Sequence, residues 1–291
     1  MAWFFLTIVA VFFIAAEAVF EKKTLIKARS LEFAAMFAFA NMLVLVPFLF
    51  FINFSQINPF ILALIFFASM PAASASLLMF KTIKHSQLSE TAPILALAPL
   101  VITFFAFIFL GERITILQSV GLFLMVGGII LLEFKNLKTS QGIFIHGRGK
   151  YIYYIFLYLL LGGISAMFDR IILNRYHINP LAYLALIQLF IAMNYFIFFS
   201  LKPANFKNLK EGIAAYWKVI LVVSILTVCH RYLYASAIQL AASIGLVSAV
   251  YKLSSLVHVI SGGKFFSEKD ITKKVLASVI ILSGTILLVL K

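Results

Sequence analysis

Ten transmembrane helices, set in two inverted five-helix repeats, are what this all-α sequence of 291 residues predicts. Three observations carry that expectation. The composition is too apolar for a soluble fold, ten apolar segments alternate with gaps whose basic charge also alternates, and the second half repeats features of the first.

Of all residues 64% are hydrophobic and 12% are charged, and the mean hydropathy is +1.09. Soluble domains run near ~45–50% apolar and ~25% charged. A chain of this size keeps too much surface to hide such an excess, so the lipid bilayer is its solvent. The net charge of +14 does not point to nucleic acid, because basic residues gather in cytoplasmic loops under the positive-inside rule. The single cysteine, Cys229, excludes an internal disulfide and a multi-cysteine zinc site. No basic stretch precedes Trp3–Phe20 and no clear cleavage site follows it, so it reads as a retained helix.

A spanning helix needs about 20 mostly apolar residues. Segments of that kind cover 2–20, 32–52, 58–80, 89–110, 116–134, 151–173, 180–201, 215–238, 243–263 and 273–290. Lys22, Lys23, Lys27 and Arg29 follow the first span, and Lys81 and Lys84 the third. Lys135, Lys138, Arg148 and Lys150 follow the fifth. Lys202, Lys207, Lys210 and Lys218 follow the seventh, and Lys264, Lys269, Lys273 and Lys274 the ninth. The even-numbered gaps hold only Arg113, Arg170 and Arg175. The odd gaps are therefore cytoplasmic and both termini lie outside. The compact length and the scarcity of acids in the gaps suit a prokaryotic inner membrane.

The repeat is read from matched positions. Gly111-Glu112-Arg113 opens a helix that ends Gly127-Gly128-Ile129-Ile130-Leu131-Leu132. A shift of 156 residues (268 − 112) brings it onto Ser267-Glu268-Lys269 and a helix ending Ser283-Gly284-Thr285-Ile286-Leu287-Leu288, with no gap. A shift of 152 (169 − 17) places Glu17 on Asp169 and Lys23 on Arg175. Each copy holds five spans, and because five is odd the second copy enters the membrane from the opposite side. That is the inverted repeat of many secondary transporters, whose substrate site lies between the halves near the midplane. The expected units are 1–135, a connecting loop over 136–150, and 151–291.

The run Phe109-Leu110-Gly111-Glu112-Arg113, with Gly121, Gly127-Gly128 and Ile129-Ile130-Leu131 behind it, resembles the EamA domain of the drug/metabolite transporter superfamily. Phe266-Ser267-Glu268-Lys269 is its echo in a second EamA-like unit. Ser267 stands where the motif has glycine, and Ala15-Ala16 where members often carry Trp-Gly. The resemblance implies a ten-helix carrier that exports or exchanges amino acids or other small metabolites without ATP. It gives Gly111, Glu112 and Glu268 a structural role in a tight turn. It also implies a cavity lined by spans one, three, four, six, eight and nine.

Charges inside spans are costly, about 2.5–3.5 kcal/mol each at the bilayer centre on insertion scales, so each invites a functional reading. His230 and Arg231 lie in mid-span, with Thr227, Arg231, Tyr234 and Ile238 on one helical face. Arg231 either binds an anionic group of the substrate or pairs with an acid of the protein. Lys252 shares a face with Ser248 and Ser255, while Tyr251, Ser254, His258 and Ser261 occupy the adjacent one. So polar a helix suits a wet cavity, although Lys252 is also close enough to one end to snorkel to the interface. Together Arg231 and Lys252 favour an anionic or zwitterionic substrate.

Glu17 and Asp169 are the candidates for coupling transport to protons, with end-of-helix ion pairing as the simpler role. Glu90 begins a helix, where an acid meets the positive end of the dipole. His230 and His258 are either proton relays or hydrogen-bonded packing residues. Gly128 and Gly284 sit at matching places and suit close helix packing. No catalytic motif, cofactor signature or metal-spaced cluster appears. A membrane-embedded enzyme, a channel and a non-transporting scaffold are the rival classes. The oligomeric state is not written in the sequence.

Overall fold

The computed structural model describes residues 2–52, 54–86, 91, 94–95, 97–111, 115–138, 149–200, 204–266 and 271–289. The side chains of some residues within these helices, Ser255 among them, are not described. Glu90, Glu112, Arg113, Glu268 and Lys269 lie outside the described residues, and so do the turn and capping roles expected of them.

Every regular element among the described residues is helical. In chain order they are α1 (Ala2–Leu25), α2 (Ser30–Leu45), α3 (Pro59–His85), α4 (Ala98–Leu110), α5 (Ile116–Lys138) and α6 (Gly149–Arg170). Then come α7 (Pro180–Ser200), α8 (Ala204–Leu240), α9 (Ile244–Tyr251), α10 (Ser254–Phe266) and α11 (Ile271–Val289). A 3-10 turn, Val46–Phe51, extends α2, and a π turn, Ile171–Arg175, extends α6. Among the described residues six helical stretches are long and apolar enough to cross a membrane: Ala2–Leu25, Ser30–Phe51, Pro59–His85, Tyr153–Arg175, Pro180–Ser200 and Glu211–Leu240. Shorter apolar helices cover Ala98–Leu110, Ile116–Met125 and Val275–Gly284.

Local chemistry sets the helix ends. Asn58 accepts the Ile61 N–H at 2.9 Å and Pro59 takes the first position of α3, where its missing N–H removes nothing. At the other end of the apolar run, α4 stops at Gly111, whose φ of +67° is left-handed. Glycine adopts that conformation without a Cβ clash, which explains the residue at the head of the Gly111-Glu112-Arg113 run.

Two predicted spans are interrupted rather than continuous. The stretch expected over 243–263 divides into α9 and α10 around Lys252 and Leu253, where the Leu253 N–H bonds the Val250 carbonyl at 3.0 Å. Ahead of α4 the Leu97 N–H bonds the Ile94 carbonyl, also at 3.0 Å. These i→i−3 bonds tighten the chain at positions 156 residues apart (253 − 97 and 250 − 94). Pro99, which cannot donate a backbone hydrogen bond, accounts for the first break. No proline accompanies the second.

Packing partners come in exchange-related pairs. Helix α1 packs on α8 as α3 packs on α6, α2 on α8 as α3 on α7, and α4 on α6 as α1 on α9 and α10. Across the middle α2 meets α7, α4 meets α9 and α5 meets α11. Polar groups join α3 to α7: Asn194 Nδ2 donates to Ser69 Oγ at 2.9 Å, and the Tyr195 hydroxyl to the Ala73 carbonyl at 2.7 Å.

Two cations counted among the loops are instead buried and cap helices. Lys22 lies inside α1, which runs five residues past the expected end at Phe20, and its Nζ donates to the Ile83 and Ser86 carbonyls at 2.5 and 2.6 Å. Arg170 donates to the carbonyls of Ile238, Ala241 and Ala242 at 2.9, 2.8 and 2.5 Å. The last carbonyls of a helix have no partner within it, and lipid supplies none. A cation from α1 thus closes the end of α3, and one from α6 closes the end of α8.

The matched glycines seat α5 on α11. A Cβ at Gly128 would come within 2.7 Å of Ile281 Cγ1, and one at Gly284 would stand 2.9 Å from Met125 Cγ and against the Gly121 carbonyl. A Cβ at Gly127 would meet nothing within 4 Å. Gly284→Leu is therefore expected to destabilise the protein by about 1–3 kcal/mol through overpacking, read as a lower thermal midpoint in detergent. Gly127→Ala should leave that midpoint unchanged or slightly raised.

Candidate functional site

A cavity of about 300 Å³ opens where the paired helices meet, at the small end of the range for ligand pockets. The six expected spans contribute to its wall, and α2 and α7 add Phe37 and Tyr183. Arg231, Lys252, His230, Tyr234 and His258 all line it, as do Glu17 and Asp169. Gly128 and Gly284 do not; they lie in the α5–α11 contact.

The acids are not at helix ends. Glu17 is buried in α1 eight residues before Leu25, and Asp169 precedes the π turn that carries α6 on to Arg175. The placement removes the helix-end setting in which they were expected to find simple ion pairs. Glu17 Oε1 accepts the Thr227 hydroxyl at 2.8 Å, and that hydroxyl also reaches the Val223 carbonyl at 2.8 Å. Glu17 Oε2 lies 2.6 Å from His230 Nε2, an ion-pair separation when the ring is protonated, though the two are not aligned for a hydrogen bond. The other ring nitrogen, Nδ1, meets the Tyr251 hydroxyl at 2.7 Å. Asp169 accepts the Tyr183 hydroxyl. Each carboxylate thus has a neutral oxygen donor from another helix, and Glu17 also has an imidazole.

The two cations differ from the acids. Among the described residues no carboxylate lies within ion-pair distance of Arg231 or Lys252. Arg231 is half-buried in mid-helix and cannot shed its charge. Lys252 sits at the α9–α10 break, where its own N–H still bonds the Ser248 and Ala249 carbonyls at 3.1 and 3.2 Å. Tyr234 and Tyr251 line the same cavity, with ring centroids 4.6 Å apart. The alternative pairing of Arg231 with a protein acid is not formed at ion-pair distance among the described residues.

Glu21, Tyr158, Tyr183 and Tyr251 also face the cavity and were not among the candidate site residues. Glu21 carried a usable signal, since it falls one turn from Glu17 on the same face. Tyr251 had a signal in the polar face it shares with Ser254 and His258, whereas Tyr158 and Tyr183 carried none, because a tyrosine in an apolar run reads equally as core or as interface. No group of three or more metal-binding side chains occurs among the described residues.

Comparison with known proteins fits this geometry. Residues 1–134 match the EamA-like transporter family. The EamA match spans α1 to most of α5 and includes Glu17 and the Gly111 turn. Its members are transporters, and together with the apolar helices the match makes this chain a multi-pass membrane protein. No curated protein sequence matches the chain. Among solved structures 28 chains match; one, a protein solved by crystallography, shares the fold with a TM-score of 0.72 at 12% identity. That alignment covers 100% of this chain and 98% of the other, so the likeness in fold extends beyond the EamA-matched half.

Thr227→Val keeps the shape of the side chain but removes the hydroxyl that Glu17 accepts. A buried carboxylate oxygen that loses its partner is expected to cost about 1–3 kcal/mol. The check is the thermal midpoint of the purified variant, which should fall, with Thr227→Ser restoring it.

Proposed function

We propose that the chain is a secondary-active transporter, an exporter or exchanger, of small zwitterionic or anionic metabolites such as amino acids or organic anions. It works by alternating access, with ten spans in two inverted five-helix repeats lying in a prokaryotic inner membrane. The observation that carries this reading is the pair of cations, Arg231 and Lys252, with no acid at ion-pair distance among the described residues, on the wall of a cavity between the two sets of paired helices.

A charge held in a membrane without a protein partner is costly. A substrate carboxylate arriving at Arg231 supplies the missing partner with charge-assisted bonds. The same cavity holds Asp169, Glu17 and Glu21, which suit the ammonium of a zwitterion. Acids and bases on separate helices favour a substrate that carries both charges over one that carries a single sign.

The reciprocal packing supports the repeat. Exchanging the first five spans with the last five turns the α1–α8 contact into α6–α3, and the α4–α6 contact into that of α1 with α9 and α10. The tightened turns at Leu97 and Leu253, and the cation caps on α3 and α8, follow the same exchange. Discontinuous helices at a midplane site are a recurring feature of transporters built this way. Rocking of one set of helices against the other then opens the cavity to one side at a time.

The test is uptake into proteoliposomes with a panel of amino acids and organic anions. Transport of at least one of them is expected. Arg231→Gln and Lys252→Gln should each lower its initial rate by about tenfold, the loss of one charge-assisted contact, while the thermal midpoint stays near that of the parent. Unchanged rates in both variants would refute the substrate-charge assignment, and no transport across the panel would refute the carrier class proposed.

A further inference from the structure

A second cavity, of about 280 Å³, lies away from the central one at the corner of α2, α3 and α6. Arg29, Ser30, Lys81, Lys84, Tyr151 and Tyr154 contribute to its wall. We propose that this pocket binds a phosphate group, that of an anionic phospholipid headgroup.

The charge is concentrated and little of it is neutralised. Arg29 has one carboxylate contact, Nη1 to Glu32 Oε1 at 3.3 Å, and its side chain is 68% exposed, so its other N–H groups remain available. Lys84 donates one N–H to the Ala28 carbonyl at 2.7 Å, which fixes its ammonium and leaves two donors. Lys81 lies over the Tyr154 ring at 5.7 Å from the centroid. Among the described residues no carboxylate is within ion-pair distance of either lysine. The aromatic side of the pocket is ordered by stacking of His85 on Tyr151, with centroids 4.8 Å apart.

Position selects the ligand. The pocket lies at the end of α3 that Lys22 caps and that Lys84 ties to Ala28, beside the basic stretch 22–29 in the sequence, the end where the positive-inside rule places the cytoplasmic interface. Phospholipid phosphates stand at that level, and tyrosines favour it. Basic pockets between helices on this side take anionic head groups, and each nearby cation contributes about 1 kcal/mol to membrane attraction. The fixed Lys84 ammonium and the Lys81–Tyr154 pair give a phosphate oxygen two donors on one helix, one turn apart by the 3.6-residue period. The site is independent of the transport assignment, since none of its cations lines the central cavity.

The test uses the full chain purified in detergent and titrated with phosphatidylglycerol, phosphatidylcholine or inorganic phosphate. The readouts are the thermal midpoint and the lipid retained in native mass spectrometry. Phosphatidylglycerol should raise the midpoint saturably and phosphatidylcholine should not. Lys81→Gln should weaken that binding about fivefold, and Arg29→Gln, at an exposed side chain, should act in the same direction should Lys81→Gln fold poorly. Lys218→Gln, an exposed cation outside the pocket, should leave it unchanged. If inorganic phosphate alone gives the shift, and Lys81→Gln weakens it, the phosphate site stands and its ligand is the free ion. The proposal is overturned if neither probe binds. It is equally overturned if both pocket variants bind as the parent does, or if Lys218→Gln loses as much as they do.

Discussion

A cation inside lipid must find oxygen, and the architecture follows from where each one finds it. Water is absent from the hydrocarbon layer, so the carbonyls that close a helix and the ammonium or guanidinium of a buried side chain are both unsatisfied there. Lys22 and Arg170 solve the two problems together, each by donating to the last carbonyls of the helix two places further along the chain, α1 to α3 and α6 to α8. Hydrogen bonds to a charged group are worth about 1.5–3 kcal/mol each. Three of them at Arg170 therefore outweigh an insertion penalty of about 2.5–3.5 kcal/mol. Among the described residues Arg231 and Lys252 have no such set of carbonyl or carboxylate acceptors, and both line the cavity. Cations that cap helices and cations that line the cavity are separated by this one criterion.

The caps also fix which helices are free to change their neighbours. With its end closed by α1, α3 belongs to the first half, yet it packs on α6 and α7 of the second. Helix α8, closed by Arg170 of α6, packs on α1 and α2 in the same reciprocal way. Each half thus inserts one capped helix into the other, and the cavity forms where the two inserted helices face each other. The breaks at Leu97 and Leu253 fall on the remaining pair, α4 and the α9–α10 stretch, which meet across the cavity. Polar residues accumulate at the second break because a helix interrupted in lipid exposes backbone groups that only a cavity can satisfy.

The helical membrane class was legible from composition alone, because lipid leaves no other way to satisfy a backbone. Arg231, Lys252, His230, Glu17 and Asp169 were legible as site candidates because a charge or imidazole in an apolar run is conspicuous. Lys22 and Arg170 were misread for the complementary reason. Lysine and arginine near a span end read as loop charges, whereas these two side chains stay on the helix and turn toward the carbonyls of a neighbour distant in sequence. Glu21 was lost with the same helix end. The break at Lys252 left no mark in the sequence, since neither proline nor glycine stands there, and it depends on tertiary packing. Tyr183 and Tyr251 were invisible as partners of Asp169 and His230, because those pairings connect helices that the sequence does not bring together.

Helix α3 ties the cavity to the membrane surface. Over its last turns Phe80 and Ile83 face the central cavity, while Lys81, Lys84 and His85 line the basic pocket. Adjacent residues on a helix point about 100° apart, so one turn serves both faces. The Lys22 cap on Ile83 and Ser86 and the Lys84 bond to Ala28 hold that turn to α1 and to the start of α2. The equivalent end of α8 carries the Arg170 cap and no comparable cluster of basic residues among those described. Both helix ends carry a buried cation cap, and the distribution of lysine makes them unlike in charge. A ligand on the basic pocket therefore bears on the end of the cavity that Phe80 and Ile83 line.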